Sequence, residues 1–217
     1  MAKSIYSFLK VMKDKLYQKT IDYSKNDWES VNRIEKTHLS MMDNLYYITD
    51  SPTFIRDNIY LGNAYNASNY DELKKNKIGY ILNITKEISN YYPDDFTYYN
   101  IEITDNNGQP IEKYFTEILD FIKISQKDSE DSEDSTEPNN SPNILIHCFM
   151  GSSRSASCVI LYLIDKYGMT FDESYKMIKE LRPIVNPNTS FVKQLKKYEI
   201  SIKSPIKTTN NNKIKEE

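Results

Sequence analysis

His147-Cys148-Phe149-Met150-Gly151-Ser152-Ser153-Arg154-Ser155 stands between an apolar run, Ile144-Leu145-Ile146, and an apolar-periodic run that starts at Ala156. That context reads as a buried strand, a tight loop and a helix. The backbone N–H groups of such a loop and the helix N-terminus converge on one point and form an anion site the size of a phosphate. Cys148 brings a nucleophile to it, because inward amides and a helix N-terminus favour the thiolate over the thiol. Arg154 brings a planar cation that cannot lose its proton and that matches two phosphoryl oxygens. Gly151 permits an unusual φ or a close approach of backbone to ligand. Ser155, next to the arginine, can donate a hydrogen bond to the sulfur when it must leave again. Arginine is scarce, with only Arg33, Arg56, Arg154 and Arg182 present. A chance Cys-x5-Arg is therefore expected at roughly 0.04 per such chain.

The pattern HCFMGSSRS resembles the His-Cys-x-x-Gly-x-x-Arg-Ser/Thr signature of cysteine-dependent protein phosphatases, and specifically their dual-specificity branch. Ile59-Tyr60-Leu61-Gly62 is similar to that family's opening strand and turn, and Ile81-Leu82-Asn83-Ile84-Thr85 to its buried second strand. Arg182-Pro183 and Pro187-Asn188, with Phe191, Gln194 and Leu195, resemble its closing segment. The likeness runs from about Thr53 to Ile200. It implies an α/β fold: a central mixed, mostly parallel twisted sheet flanked by helices, with the phosphate-binding loop between a buried strand and a helix. It implies a protein phosphatase that works through a phosphocysteine, without a metal or other cofactor. The phosphate would be held by Phe149, Met150, Gly151, Ser152, Ser153 and Arg154, with His147 in support.

Such a reaction needs a proton donor for the leaving oxygen. In the resembling family the donor follows a strand and precedes a helix, which is where Asp105 stands, 43 residues ahead of Cys148 and opening the turn Asn106-Asn107-Gly108-Gln109-Pro110. A turn-forming aspartate is the plain alternative for Asp105; Asp94 and Asp95 are the competing donors. Adjacent residues on a strand face opposite sides, so His147 is expected to shape the loop rather than to act as a base for Cys148. Cys158 reads as a buried thiol, with a resolving partner for oxidised Cys148 as the alternative.

Composition narrows the function. With 217 residues the chain fits one domain plus tails, and its net charge of −3 argues against general nucleic-acid binding. Two cysteines make no disulfide framework, no signal-like apolar region opens the sequence and no apolar run spans a membrane. A cytoplasmic location is expected, with the nucleus also open. Phosphorylated proteins, signalling kinases among the candidates, are the expected partners; oligomeric state is left open. The loop itself carries no lysine, which weakens a phosphoinositide reading. The domain is also short for the larger tyrosine-specific relatives, so a shallow pocket for phosphotyrosine, phosphoserine and phosphothreonine is expected. A phosphate-binding scaffold with little turnover, or an enzyme for a lipid or RNA 5′ phosphate, are the alternatives.

Four zones separate along the chain. Residues 1–52 form a lysine-rich extension in which Ile5, Phe8, Leu9, Met12 and Leu16 have helical spacing. The catalytic domain is expected over 53–200, with strands around Ile59–Leu61, Tyr80–Ile84 and Tyr98–Ile103. A helix follows, with one stripe of Ile111, Phe115, Ile118, Leu119 and Ile122. Residues 127–143, KDSEDSEDSTEPNNSPN, hold six acidic residues and no apolar side chain, too little apolar surface to offset the entropy of ordering. This stretch reads as an expanded surface loop, and Ser129, Ser132 and Ser141 within it are candidate phosphorylation sites. Ala156, Val159, Ile160, Leu163 and Ile164 are expected to bury one face of the helix after the motif. Thr170 and Glu173 form a capping box for the next helix, Pro183 ends it, and Ser190–Tyr198 makes the last. A disordered tail is expected over 201–217.

Overall fold

Period-two alternation in three short apolar runs builds the centre of the molecule, with both faces of the sheet buried. Ile59 and Leu61, Tyr80 and Leu82, and Ile144 and Ile146 join the large core on one face, while Ile81 and Leu145 join a smaller cluster with Ala67, Leu73, Ile78 and Phe96. The computed structural model describes residues 51–127 and 142–203. The lysine-rich segment 1–50, the acidic stretch 128–141 with its candidate serines, and residues 204–217 lie outside the described residues.

The strands are β1 (Thr53–Arg56), β2 (Ile59–Gly62), β3 (Ile78–Asn83), β4 (Thr97–Asn100) and β5 (Asn143–His147). They lie in the order β1-β2-β5-β3-β4. β1 pairs antiparallel with β2, and every other pairing is parallel, the mixed and mostly parallel sheet expected from the sequence. Two short helices, α1 (Ala64–Ser68) and α2 (Tyr70–Lys75), join the smaller cluster through Ala67 and Leu73. The large core takes side chains from α3 (Phe115–Lys127), α4 (Arg154–Tyr167), α5 (Phe171–Leu181) and α6 (Thr189–Lys203).

Several elements differ from the sequence reading, each for a local reason. α4 is buried all round from Arg154 to Ile164 rather than on one face, because it lies between the sheet and helices α3, α5 and α6. It stops at Gly168, whose φ of 62° provides a left-handed cap. The Tyr98–Ile103 strand shrinks to Thr97–Asn100: the Ile101 N–H still reaches the Asn83 carbonyl at 2.9 Å, but the Ile103 N–H turns back to the carbonyl of Ile101. The chain thus peels off the sheet just before Asp105. Ile111 precedes a 3-10 turn, Glu112–Tyr114, rather than starting the α3 stripe. The capping box forms as read, with Thr170 and Glu173 bonded to each other's backbone N–H. α6 runs to Lys203, past both the expected helix end and the expected boundary at 200. Glu199 accepts from the Phe171 N–H and from Lys203, which ties that last turn to α5.

The acidic stretch leaves and rejoins the domain beside α3 and β5, and its two ends are pinned. Asn58 Nδ2 donates to the carbonyls of Ser125 and Pro142 at 3.0 and 3.3 Å. Asn143 bonds the carbonyls of Lys77 and Asn76, each at 2.8 Å. Lys127 is still helical and Asn143 is already strand, so the insertion is shorter than its composition suggested.

Candidate active site

β5 is central in the sheet, and its carboxyl end delivers residues 148–153 to the amino end of α4, where parallel sheets place their ligands. The loop is held by its carbonyls. That of Phe149 accepts from Ala64 N–H, that of Gly151 from Arg182 Nε, that of Ser152 from Asn186 N–H and that of Ser153 from Ser157, all at 2.8–3.2 Å. Carbonyls turned outward leave the amides turned inward, and the Gly151 N–H points at Cys148 Sγ, 3.2 Å away. Gly151 has φ 69°, and a Cβ there would stand 2.7 Å from the Gly62 carbonyl oxygen, so only glycine fits. Arg182, buried beneath the loop, also reaches Thr53 Oγ1.

Cys148 is 1% exposed. Ser155 Oγ lies 3.2 Å from its sulfur, the position expected of a donor to a departing thiolate. By strand alternation His147 falls on the Leu145 side of the sheet, away from Cys148. Burial pushes its imidazole down to about 4, against the hydrogen-bonding main chain of Cys148, so the ring is neutral at physiological pH. It is no base for the cysteine. Cys158 is buried in α4, and burial, with Cys148 nearby, pushes its thiol up. A thiol held in that form is a poor attacker.

The serine hydroxyls of the loop are already engaged. Ser152 Oγ donates to the Ile184 carbonyl at 2.7 Å, and Ser153 Oγ donates to Asp105 Oδ1 at 2.8 Å. What Ser152 and Ser153 offer an anion is therefore backbone. Ser153 is also the N-cap of α4 yet makes no side-chain cap bond, which leaves the first amides of the helix open.

Arg154 is 6% exposed, and its guanidinium is mostly spoken for. Nη1 donates to Glu87 Oε2 at 2.9 Å and to the Ile103 carbonyl at 3.0 Å; Nη2 donates to Glu87 Oε1. Burial works against the Glu87 charge, but the hydrogen bond and charge of Arg154 outweigh it and lower the carboxyl below its ordinary range. The Arg154 Nε–H has no hydrogen-bond partner and sits 4.0 Å from Asp105 Oδ2. Ile84, Ile103, Ile111, Phe115 and Leu161 line an apolar gap under the guanidinium with no room for a water molecule.

Of the residues picked from sequence, Cys148, the loop 149–153, Arg154, Ser155 and Asp105 come together. His147 is buried at the end of β5, and Asp95 is elsewhere, accepting from Tyr70 Oη. Glu87 and Asn188 were missed as site residues. Glu87 carried one signal: it follows β3 by four residues, at the carboxyl ends of the parallel strands. Asn188 was legible only as part of a closing motif. Among the described residues no group of His, Cys, Asp and Glu is arranged to hold a metal ion.

A buried cysteine that accepts from a loop amide, followed by a buried arginine and carried between a central parallel strand and a helix, is the layout of a cysteine-loop phosphatase domain. The chain belongs to the dual specificity phosphatase family: the model of its catalytic domain matches residues 59–201. Protein phosphatase Slingshot homolog 2 from Homo sapiens is 38% identical over 150 residues, covering 69% of this chain and 10% of that protein. Slingshot from Drosophila melanogaster is 37% identical, covering 69% of this chain and 13% of its own length. The chain thus spans a small part of these relatives. Among solved structures, that of DUSP15 superposes with TM-score 0.60 at 32% identity, covering 69% of this chain and 87% of that one. A human tyrosine phosphatase-like serine/threonine/tyrosine-interacting protein superposes with TM-score 0.62 at 26% identity, covering 71% and 99%.

Proposed function

We propose that the chain hydrolyses phosphotyrosine, phosphoserine and phosphothreonine in proteins through a phosphocysteine. The observation that carries this is the orphaned Nε–H of Arg154, a buried donor with no partner between Cys148's loop and Asp105. A buried polar group left unbonded is costly unless a ligand completes it. A phosphoryl oxygen bonded there, with the others under the loop amides, faces its phosphorus to Sγ.

In the first step the Cys148 thiolate forms an S–P bond while the P–O bond to the substrate breaks, and Asp105 gives its proton to the departing oxygen. In the second, Asp105, now a carboxylate, takes a proton from water as the water oxygen attacks phosphorus. The S–P bond breaks, inorganic phosphate leaves, and the Ser155 hydroxyl steadies the returning thiolate. The amides and Arg154 hold the equatorial oxygens through both steps. Phosphoproteins are the substrates, signalling kinases among them, met in the cytoplasm or nucleus. No helix among the described residues is long and apolar enough to cross a membrane.

The test is hydrolysis of p-nitrophenyl phosphate and a phosphopeptide panel by the full chain and by Cys148→Ser. Release of phosphate from peptides by the wild type alone is the expected result. Tight phosphopeptide binding with no turnover by either protein would replace the enzyme with a scaffold. Turnover confined to lipid or RNA phosphates would replace the substrate class.

A further inference from the structure

Asn188 uses all four of its polar groups. It immediately precedes α6, where its carbonyl accepts from Val192 N–H at 3.1 Å and its Oδ1 from Phe191 N–H at 3.0 Å, the pattern of an N-cap. Its own N–H donates to Ser153 Oγ at 3.1 Å, and its Nδ2 donates to Asp105 Oδ1 at 2.7 Å. The cap settles which end of the amide is which: Oδ1 must face the Phe191 N–H, so Nδ2 must face Asp105. Further along, Thr189 Oγ1 bonds Asn107 Oδ1 and Gln194 Nε2 bonds the Gln109 carbonyl. The amino end of α6 therefore grips the segment that carries Asp105.

Both donors to Asp105, Asn188 Nδ2 and Ser153 Oγ, land on the same oxygen, Oδ1. A protonated Oδ1 would keep one in-plane lone pair for the two of them, and the other donor would face its hydrogen. Oδ2 is the oxygen left to carry the proton, and it is the one that faces Arg154 Nε, the charged group within ion-pair range, whose guanidinium Glu87 shares. We propose that Asn188, with Ser153, is a positioning residue for the reaction: it fixes the Asp105 carboxyl over the phosphate loop and assigns its proton to Oδ2, on the leaving-group side. The inference rests on the reading of Asp105 as the proton donor.

Two variants separate this role from helix capping. Asn188→Ser keeps an N-cap oxygen but cannot reach Asp105; Asn188→Asp keeps the cap and the length but sets carboxylate against carboxylate. The full chain is assayed on phenyl phosphate, whose leaving group needs a proton, and on p-nitrophenyl phosphate, whose leaving group needs it far less. Asp105→Ala is the reference, and thermal melts accompany each protein. Expected is a fall in kcat of about tenfold to a hundredfold on phenyl phosphate for both Asn188 variants, larger for Asn188→Asp, with KM within about threefold and a much smaller loss on p-nitrophenyl phosphate. If Asp105→Ala shows that leaving-group dependence while the capped, folded Asn188 variants keep wild-type kcat, Asn188 is only a helix cap and the proposal falls. If Asp105→Ala itself shows no such dependence, the proton donor is another group, and the proposal falls with that reading.

Discussion

The two loops that meet over Cys148 are built in opposite ways. Residues 148–153 are held mainly by their own backbone, with carbonyls taken up by α1, α4, Arg182 and the segment before α6. Residues 104–110 are largely exposed and, beside two main-chain turn bonds, are held by side chains: Gln109 Oε1 accepts from Thr104 N and Oγ1, and Asn106 Oδ1 accepts from Gly108 N–H. On the proposed mechanism the first loop presents its amides to a phosphoryl group without moving, and its shape is fixed mainly by main-chain bonds, to which the Arg182 and Ser152 side chains add. On the same mechanism the second holds one carboxyl that gains and loses a proton, and side-chain contacts to it are enough. Preorganisation sits where charge develops.

That contrast can be broken first at Arg154. Arg154→Lys keeps the charge but loses the fork that joins Glu87, the Ile103 carbonyl and a phosphoryl oxygen. Turnover should fall at least about a thousandfold, read by steady-state kinetics with the fold checked by circular dichroism. Activity near wild type would mean that charge alone is what the rigid loop needs. On the other loop, Asp105→Ala should lower kcat by about a hundredfold or more, leave KM nearly unchanged and remove the basic limb of the pH–rate profile. A limb that survives points to a different donor.

The rigid loop also predicts a pH signature unrelated to chemistry. His147, buried at the end of β5, is pushed by burial down to about 4 when folded, against an ordinary 6.5. Its folded value is depressed, so the unfolded chain binds the extra proton between those values and stability declines as pH falls through that window. The loss is about 3 kcal/mol by pH 4. Urea unfolding across pH 7 to 4 measures it, and His147→Asn should flatten the slope it contributes. The smallest effect is expected at the junction of the loops. Glu87→Ala frees the guanidinium, and kcat/KM should drop about tenfold while inhibition by inorganic phosphate weakens. Tighter phosphate inhibition would instead make Glu87 a competitor for the fork.

The same contrast explains what could be read in advance. The motif at 147–155 is contiguous, so one strand, one loop and one helix start could be read from adjacent residues. The sheet followed from alternation in Ile59–Leu61, Tyr80–Ile84 and Ile144–Ile146. Asp105 could be placed only through the family pattern, because its partners Ser153 and Asn188 lie 48 and 83 residues away. Glu87 was invisible for the same reason: its meaning arises from Arg154, 67 residues on. The premature end of β4 is likewise a tertiary effect, since the peel at Ile101–Ile103 brings a carbonyl to Arg154 and the local sequence favours continued strand.

The pinned ends of the acidic stretch separate two kinds of freedom. They flank the amino end of β5, a strand whose five residues put them about 17 Å from Cys148. Asn58 and Asn143 tie the chain at both sides of this stretch, so changes of length or composition within it are expected to stay away from Cys148. For a protein engineer this is a splice point, a place where an affinity handle or a reporter would enter the chain at the end of the sheet opposite the Cys148 loop.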